Sequence, residues 1–356
     1  MSFRQISHID NVPDSQTRAD GERSRDEPRL SYARPRYMWC RVRGARSALD
    51  HQEREGHYYE GRGLKNDFNM HDRIYKAMEQ WQNELDIDIH VPQLLRFRLE
   101  SDPYFWDEKS HLFPTKWQEP ADVLFAERIL PMPKKIRDAL IEEFCPAARK
   151  EHAFHDVGNR SCLVRLYLGK QKKARSARLP TFTLRNFQLH LDEVERLQIE
   201  IKPLSYAMAD ALAVMHFAAR VDANDVEFVL ATAPSWEKMS HRSTPGYNYE
   251  KREVHFWLLD FNQVQPITMD EEGMKEAAKA FIFNDPYYPR PGVGQENLWI
   301  DSKARYLATS TRILGHGSEY SHLPGQFVEQ VEEMQAERLR KKAEAEARLE
   351  AGEIEG

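Results

Sequence analysis

The run Val254-His-Phe-Trp-Leu-Leu-Asp-Phe261 is apolar at nearly every position and carries a carboxylate close to its end. A half-exposed strand alternates apolar with polar residues, whereas a run like this one hides both faces. The rest of the chain must therefore cover this strand on two sides, and it has helices able to do so. Ser205 to Phe217 is the clearest, with Met208, Leu212, Met215 and Ala219 on one face. Leu64 to Trp81 brings Phe68, Ile74, Met78 and Trp81 together in the same way. Pro133 opens a helix through Ile136, Leu140, Ile141 and Phe144, and Pro146 ends it, because proline suits a first turn and not an interior. Asp270 to Phe283 and Leu298 to Leu314 read as two more.

Strand signals are fewer. Arg36 to Arg43 and Cys162 to Gly169 are rich in branched and aromatic residues, as is Thr181 to Phe187. The last two are expected to form a hairpin across a basic loop carrying Lys172, Lys173, Arg175 and Arg178. His90 to Glu127 is expected to be irregular, with short strands. Pro286, Pro289 and Pro291 exclude helix from Asn284 to Pro291.

Residues 1–34 are polar and nearly free of aromatics, so they cannot bury enough apolar surface to offset their ordering entropy and are expected to be disordered. Residues 45–62 read as loop. Residues 326–356 form a charged helix and tail that starts on the body through Phe327, Val331 and Met334 and then projects. With 51 Lys+Arg against 57 Asp+Glu, the formal charge is −6, which argues against a general nucleic-acid binder. Cys40, Cys145 and Cys162 are too few for a disulfide framework. No apolar run approaches the ~18 residues of a membrane span, and no apolar segment near the start reads as a secretory signal. An intracellular protein, cytoplasmic or nuclear, is the expectation.

The chemistry concentrates between Ser205 and Phe261. A long helix ends near Ala219 and runs into Val221-Asp-Ala-Asn-Asp-Val-Glu227, and a later strand ends in Asp260-Phe-Asn262. This order resembles the protein-kinase-like fold, where a helix leads into a loop H-R-D-x-x-x-x-N and a later strand ends in D-F-G. The resemblance implies that Asp222 orients the acceptor proton, and that Asp260, with Glu227 in place of the loop asparagine, holds Mg²⁺ against phosphates. Arg220 and Val221 stand where histidine and arginine would. The first half of the chain departs further. Asp67 would have to stand in for the helix glutamate beside the nucleotide. Ser47-Ala-Leu-Asp50 has an acid where a strand lysine belongs, and Gly61-Arg-Gly63 is half of a phosphate loop. These losses imply weak or absent nucleotide binding.

Several runs also resemble a fungal family, the domain of unknown function 3669, often labelled zinc finger protein. They are Gly61 to His71, Arg128 to Pro133, Cys162 to Lys170, Ala211 to Leu230, Leu258 to Asn262 and Asn284 to Pro291. The similarity spans roughly residues 38–315. The label invites a zinc reading of Cys145, His152, His155 and Cys162, since thiolate and imidazole suit zinc. Their spacing lacks the paired C-x2-C of a knuckle, and Cys162 starts a strand. Tyr287 and Tyr288 read as a structural brace, with a recognition surface as the alternative.

The expected architecture is α+β, a two-lobed protein-kinase-like fold with a reduced N-lobe. Residues 35–325 form the domain, divided at about residue 187. The expected function is a non-catalytic interaction or regulatory protein without a cofactor, acting on a protein partner and not on a membrane. The alternatives are a phosphotransferase using Mg²⁺–ATP at Asp222, Glu227 and Asp260 and, more weakly, a zinc-binding module.

Overall fold

The computed structural model describes residues 38–42, 63–113, 115, 118–172, 182–237, 246–294 and 296–354. Readings that concern residues 1–34, Asp50 and the basic loop from Lys173 lie outside them. The described chain is mixed α+β with two sheets. None of its helices is long and apolar enough to cross a membrane.

The first sheet is antiparallel. Strand β1 (Met38–Val42) and strand β2 (Leu94–Arg98) flank β3 (Val123–Glu127). Helix α1 (Leu64–Leu85) packs beside it and runs on past Trp81 to an Asp86 cap with left-handed backbone, φ 52°. Its buried side chains Leu64, Asp67, Met70, His71, Ile74, Ala77, Met78 and Leu85 recur at three- and four-residue steps, so one stripe faces inward. Short helix α2 (Pro103–Lys109) lies between β2 and β3 and is capped by the Asp102 carboxylate on the Phe105 N–H.

Helix α3 (Lys134–Phe144) starts after Pro133 and stops before Pro146, as the proline positions require. Helix α4 (Lys150–His155) follows, and the chain then enters the second sheet, whose order is β5-β4-β6-β7. Its members are β4 (Val164–Tyr167), β5 (Phe187–His190), β6 (Glu227–Glu237) and β7 (Gly246–Leu259). Strands β4 and β5 are parallel, with Val164 opposite Phe187 and Tyr167 opposite His190, so the hairpin expected there does not form. Residues 168–186 separate the two strands, and a connection longer than about a dozen residues permits parallel pairing where a tight turn does not. The second strand also lies later than expected, at Phe187–His190 instead of Thr181–Phe187.

Strand β7 has the burial its sequence demands. Val254, Phe256 and Leu258 join the main core, while Trp257 packs on the opposite face with Val229 and Ala231. The main core takes helix α5 (Leu191–Arg196), helix α6 (Ile201–Ala213), helix α7 (Glu271–Phe283), helix α8 (Glu296–Leu314) and the start of helix α9 (Leu323–Ile354). Helix α6 widens into a π turn over Val214–Ala218 that buries His216 completely. Its Asp210 is fixed by Arg305 and Thr309 of α8. Helix α9 packs Leu323, Phe327, Val328 and Val331 inward, and residues 341–348 are exposed.

The proline-rich segment after α7 is a brace, because Tyr287 and Tyr288 are buried and present no recognition surface. Its backbone extends β4: Leu168 N–H donates to Tyr287 O at 3.0 Å and Gly169 N–H to Pro286 O at 2.8 Å. Arg290 closes the turn on the carbonyls of Phe281 and Asn284. A Cβ at Gly169 would stand 2.2 Å from the Tyr288 carbonyl oxygen. Gly169→Ala should therefore push the brace off the sheet and cost about 1–3 kcal/mol in urea unfolding. An unchanged midpoint would mean that the brace yields freely.

Candidate functional site

Strand pairing decides what meets what. Glu227 opens β6 opposite Leu259, the last residue of β7, so the loop before β6 and the segment after β7 emerge side by side. They are then stitched together. Ile267 N–H donates to Arg220 O at 3.0 Å, and Asp222 N–H donates to Gln265 O at 2.9 Å. The Asp222 carboxylate accepts from the backbone N–H groups of Gln265 (2.8 Å) and Asn224 (3.0 Å), so one of its oxygens holds the two segments in register. Helix α1 adds a third contact, as the Asn66 amide donates to the carbonyls of Asn262 and Val264. Phe261 is buried against His71 of α1, ring centroids 4.9 Å apart. Asp67 is buried one turn before His71 on the same helix.

The backbone here is unusual. Arg220, Ala223, Asp225 and Asp260 all have φ between 54° and 64°. Side chains disfavour this left-handed region, so tertiary contacts must impose it, and such positions gather at sites where geometry matters more than local comfort.

Beside the stitched loops lies a buried ionic network. Arg165 Nη2 donates to Glu227 Oε1 at 2.5 Å, and its Nη1 is 3.7 Å from Asp285 Oδ2. Tyr167 donates its hydroxyl to the same Asp285 oxygen at 2.6 Å. Burial pushes the Tyr167 phenol up, and the Asp285 charge adds to the shift. Burial also raises the Glu227 carboxyl above its ordinary range; Arg165 pulls it back, and Asp260, Asp225 and Asp285 push it further up. The net direction is upward, because desolvation and the charges of three neighbouring aspartates outweigh one guanidinium.

The sequence places Asp222, Glu227 and Asp260 in one region, and the fold does bring their segments together. Glu227 is tied to Arg165, Asp222 accepts backbone N–H groups, and Asp260 follows the end of β7. Cys145 and Cys162 are buried, whereas His152 and His155 are exposed on α4. Burial pushes the Cys162 thiol up to about 12, away from the thiolate that zinc requires. Among the described residues no group of three or more histidine, cysteine, aspartate or glutamate side chains is placed to hold a metal ion. Sequence reasoning missed Arg165, Tyr167 and Asp285. The signal for Arg165 was a cation inside the apolar run Cys162 to Gly169, since a charge buried in a strand needs a partner.

No curated protein and no solved structure matches this chain. The family model for the domain of unknown function 3669, described as zinc finger protein, matches residues 256–318. The similarity to that family thus rests on the end of β7 from Phe256, the Asp260 segment, α7, the brace and α8.

Proposed function

We propose that this chain is a degenerate kinase-like domain that acts as a non-catalytic interaction or regulatory protein. In this reading residues 35–187 form a reduced first lobe and residues 188–325 a helical second lobe, joined through the sheet that β4 shares with β5 and β6. The observation that carries it is the Arg165–Glu227 pair. Glu227 stands where a phosphotransferase loop would offer a metal ligand, and one of its carboxyl oxygens is already engaged by a buried guanidinium. Asp222 likewise gives an oxygen to backbone N–H groups that lock the loop.

A second reading, a working Mg²⁺–ATP phosphotransferase with Asp222 as base and Asp260 on the metal, draws on the left-handed backbone at Arg220, Ala223, Asp225 and Asp260. Strain of this kind is kept where it serves a site. The zinc-module reading has only the family description behind it.

Thermal unfolding with and without millimolar Mg²⁺–ATP separates the first two. A ligand of the folded state raises the midpoint by mass action. The expected result is no shift in the wild type or in Asp260→Asn. A rise in the wild type that disappears in the variant would replace the first reading with the second.

A further inference from the structure

Away from the Arg165 network, a cavity of about 550 Å³ opens between the C-terminal half of α1, the segment from His90 to Gln93, the end of β3 and the paired strands β6 and β7. Among the described residues its wall carries Glu79, Glu127 and Glu253 from three different elements, and neither lysine nor arginine. Among the described residues, none of these carboxylates pairs with a lysine or arginine. Glu253 has only the imidazole of His255, 4.0 Å away. Glu127 is half-buried and held in place, its Oε2 accepting the Gln93 N–H at 3.1 Å, and burial raises its carboxyl.

The same lining is also aromatic. The rings of His90 and His255 lie 4.2 Å apart, and His90 lies 5.4 Å from Trp257. Burial lowers both imidazoles, His90 to about 4, so at neutral pH they do not offset the carboxylates. Trp257 is 2% exposed, and its indole N–H is buried without an acceptor. Uncompensated carboxylates on a low-dielectric wall focus a negative potential, and ring faces attract cations. The volume falls in the range of small-molecule sites.

We infer that this cavity binds an organic cation, an alkylammonium or guanidinium group, against Glu127, with the His90–His255–Trp257 wall beside its apolar part. Glu79 and Glu253, both exposed, draw the ligand in from the rim. An acceptor atom next to the cation would satisfy the Trp257 indole. The site is independent of the proposed function, since it shares no residue with the Asp222–Asp260 region. The same cation can arrive on a free amine or on the arginine of a peptide.

Titration calorimetry on the full chain tests this with two probes, agmatine and N-acetyl-arginine methylamide. At least one should bind saturably, with affinity falling as salt rises. Glu127→Gln, which keeps the acceptor for Gln93, should weaken binding at least about tenfold. Glu253→Gln is the second variant should the first fail to fold, and a several-fold loss is expected there. Tighter binding of agmatine identifies a free amine, and tighter binding of the arginine amide a peptide side chain. No saturable binding of either probe to about 10 mM, or undiminished affinity in the glutamine variant that folds, would overturn the inference.

Discussion

Replacing Arg165 with methionine should lower the unfolding free energy by about 3–5 kcal/mol at neutral pH. Among the described residues the guanidinium is the one cation in direct contact with Glu227, in a site that also feels Asp285, Asp260 and Asp225. Methionine fills similar space without charge, so the loss reports electrostatics more than packing. The orphaned Glu227 can escape only by taking a proton. Its folded pKa, already raised, would rise further, while the unfolded value stays ordinary. A carboxyl raised in the folded state destabilises increasingly as pH climbs from the unfolded value towards the folded one. The wild-type carboxyl is itself raised to about 8, so below that both folded proteins hold the proton and the gap between them stays level. It should widen above about pH 8, where the wild-type Glu227 ionises and the variant's does not. Adding Glu227→Gln to Arg165→Met should recover part of the loss, because it removes the uncompensated charge. Urea unfolding of the two single variants and the double variant gives the coupling energy. A loss below about 1 kcal/mol, or no recovery in the double variant, would show that the pair does not hold the site.

Acidification should cost the protein about 4 kcal/mol between pH 7 and pH 5 through two histidines alone. His216 is fully buried in the π turn, its Nδ1 bonded to the Tyr306 hydroxyl at 2.9 Å, and desolvation lowers it to about 3. His71 is buried under Pro92 O, and desolvation lowers it to about 4. Both are neutral when folded and titrate near 6.5 when unfolded. The unfolded chain then takes the proton first. Their contribution is intact above about pH 6.5 and is lost as pH falls towards the folded values, about 2 kcal/mol each by pH 5. That is a large part of a typical total of about 5–15 kcal/mol. Glu127 and Glu227 act in the opposite sense, since their raised carboxyls bind protons in the folded state. A His216→Phe variant isolates one histidine from this sum. The stability difference between wild type and variant should move in the variant's favour by about 2 kcal/mol from pH 7 to pH 5. A constant difference over that range would mean that His216 is not kept neutral by burial.

The elements most legible in the sequence were those set by neighbouring residues. Pro133 and Pro146 bracketed α3 to within a residue, and Asp270 marked the start of α7, where its carboxylate caps the Gly273 N–H. The apolar periods of α1 and α6 and the doubly apolar β7 were read with the correct type. The error at β4 and β5 came from treating two strand-like runs as a local pair. Nothing in Cys162 to Phe187 states whether the second strand returns antiparallel or crosses over, because that choice is made by what covers the sheet edge.

The site divided along the same line. Asp222 and Asp260 stood out by their spacing to a helix end and a strand end, which are local features. That Glu227 faces Arg165, 62 positions away in the chain, followed only from the pairing of β4 with β6. The cavity needed four separate segments to meet. Where helices start and stop, and which strand must be buried twice, could be read along the chain, because those depend on caps, prolines and periodicity within one turn or a few residues. The tertiary structure alone decided which charges are desolvated and which partners they find. Desolvation and ion pairing are set by atoms brought close from distant parts of the chain.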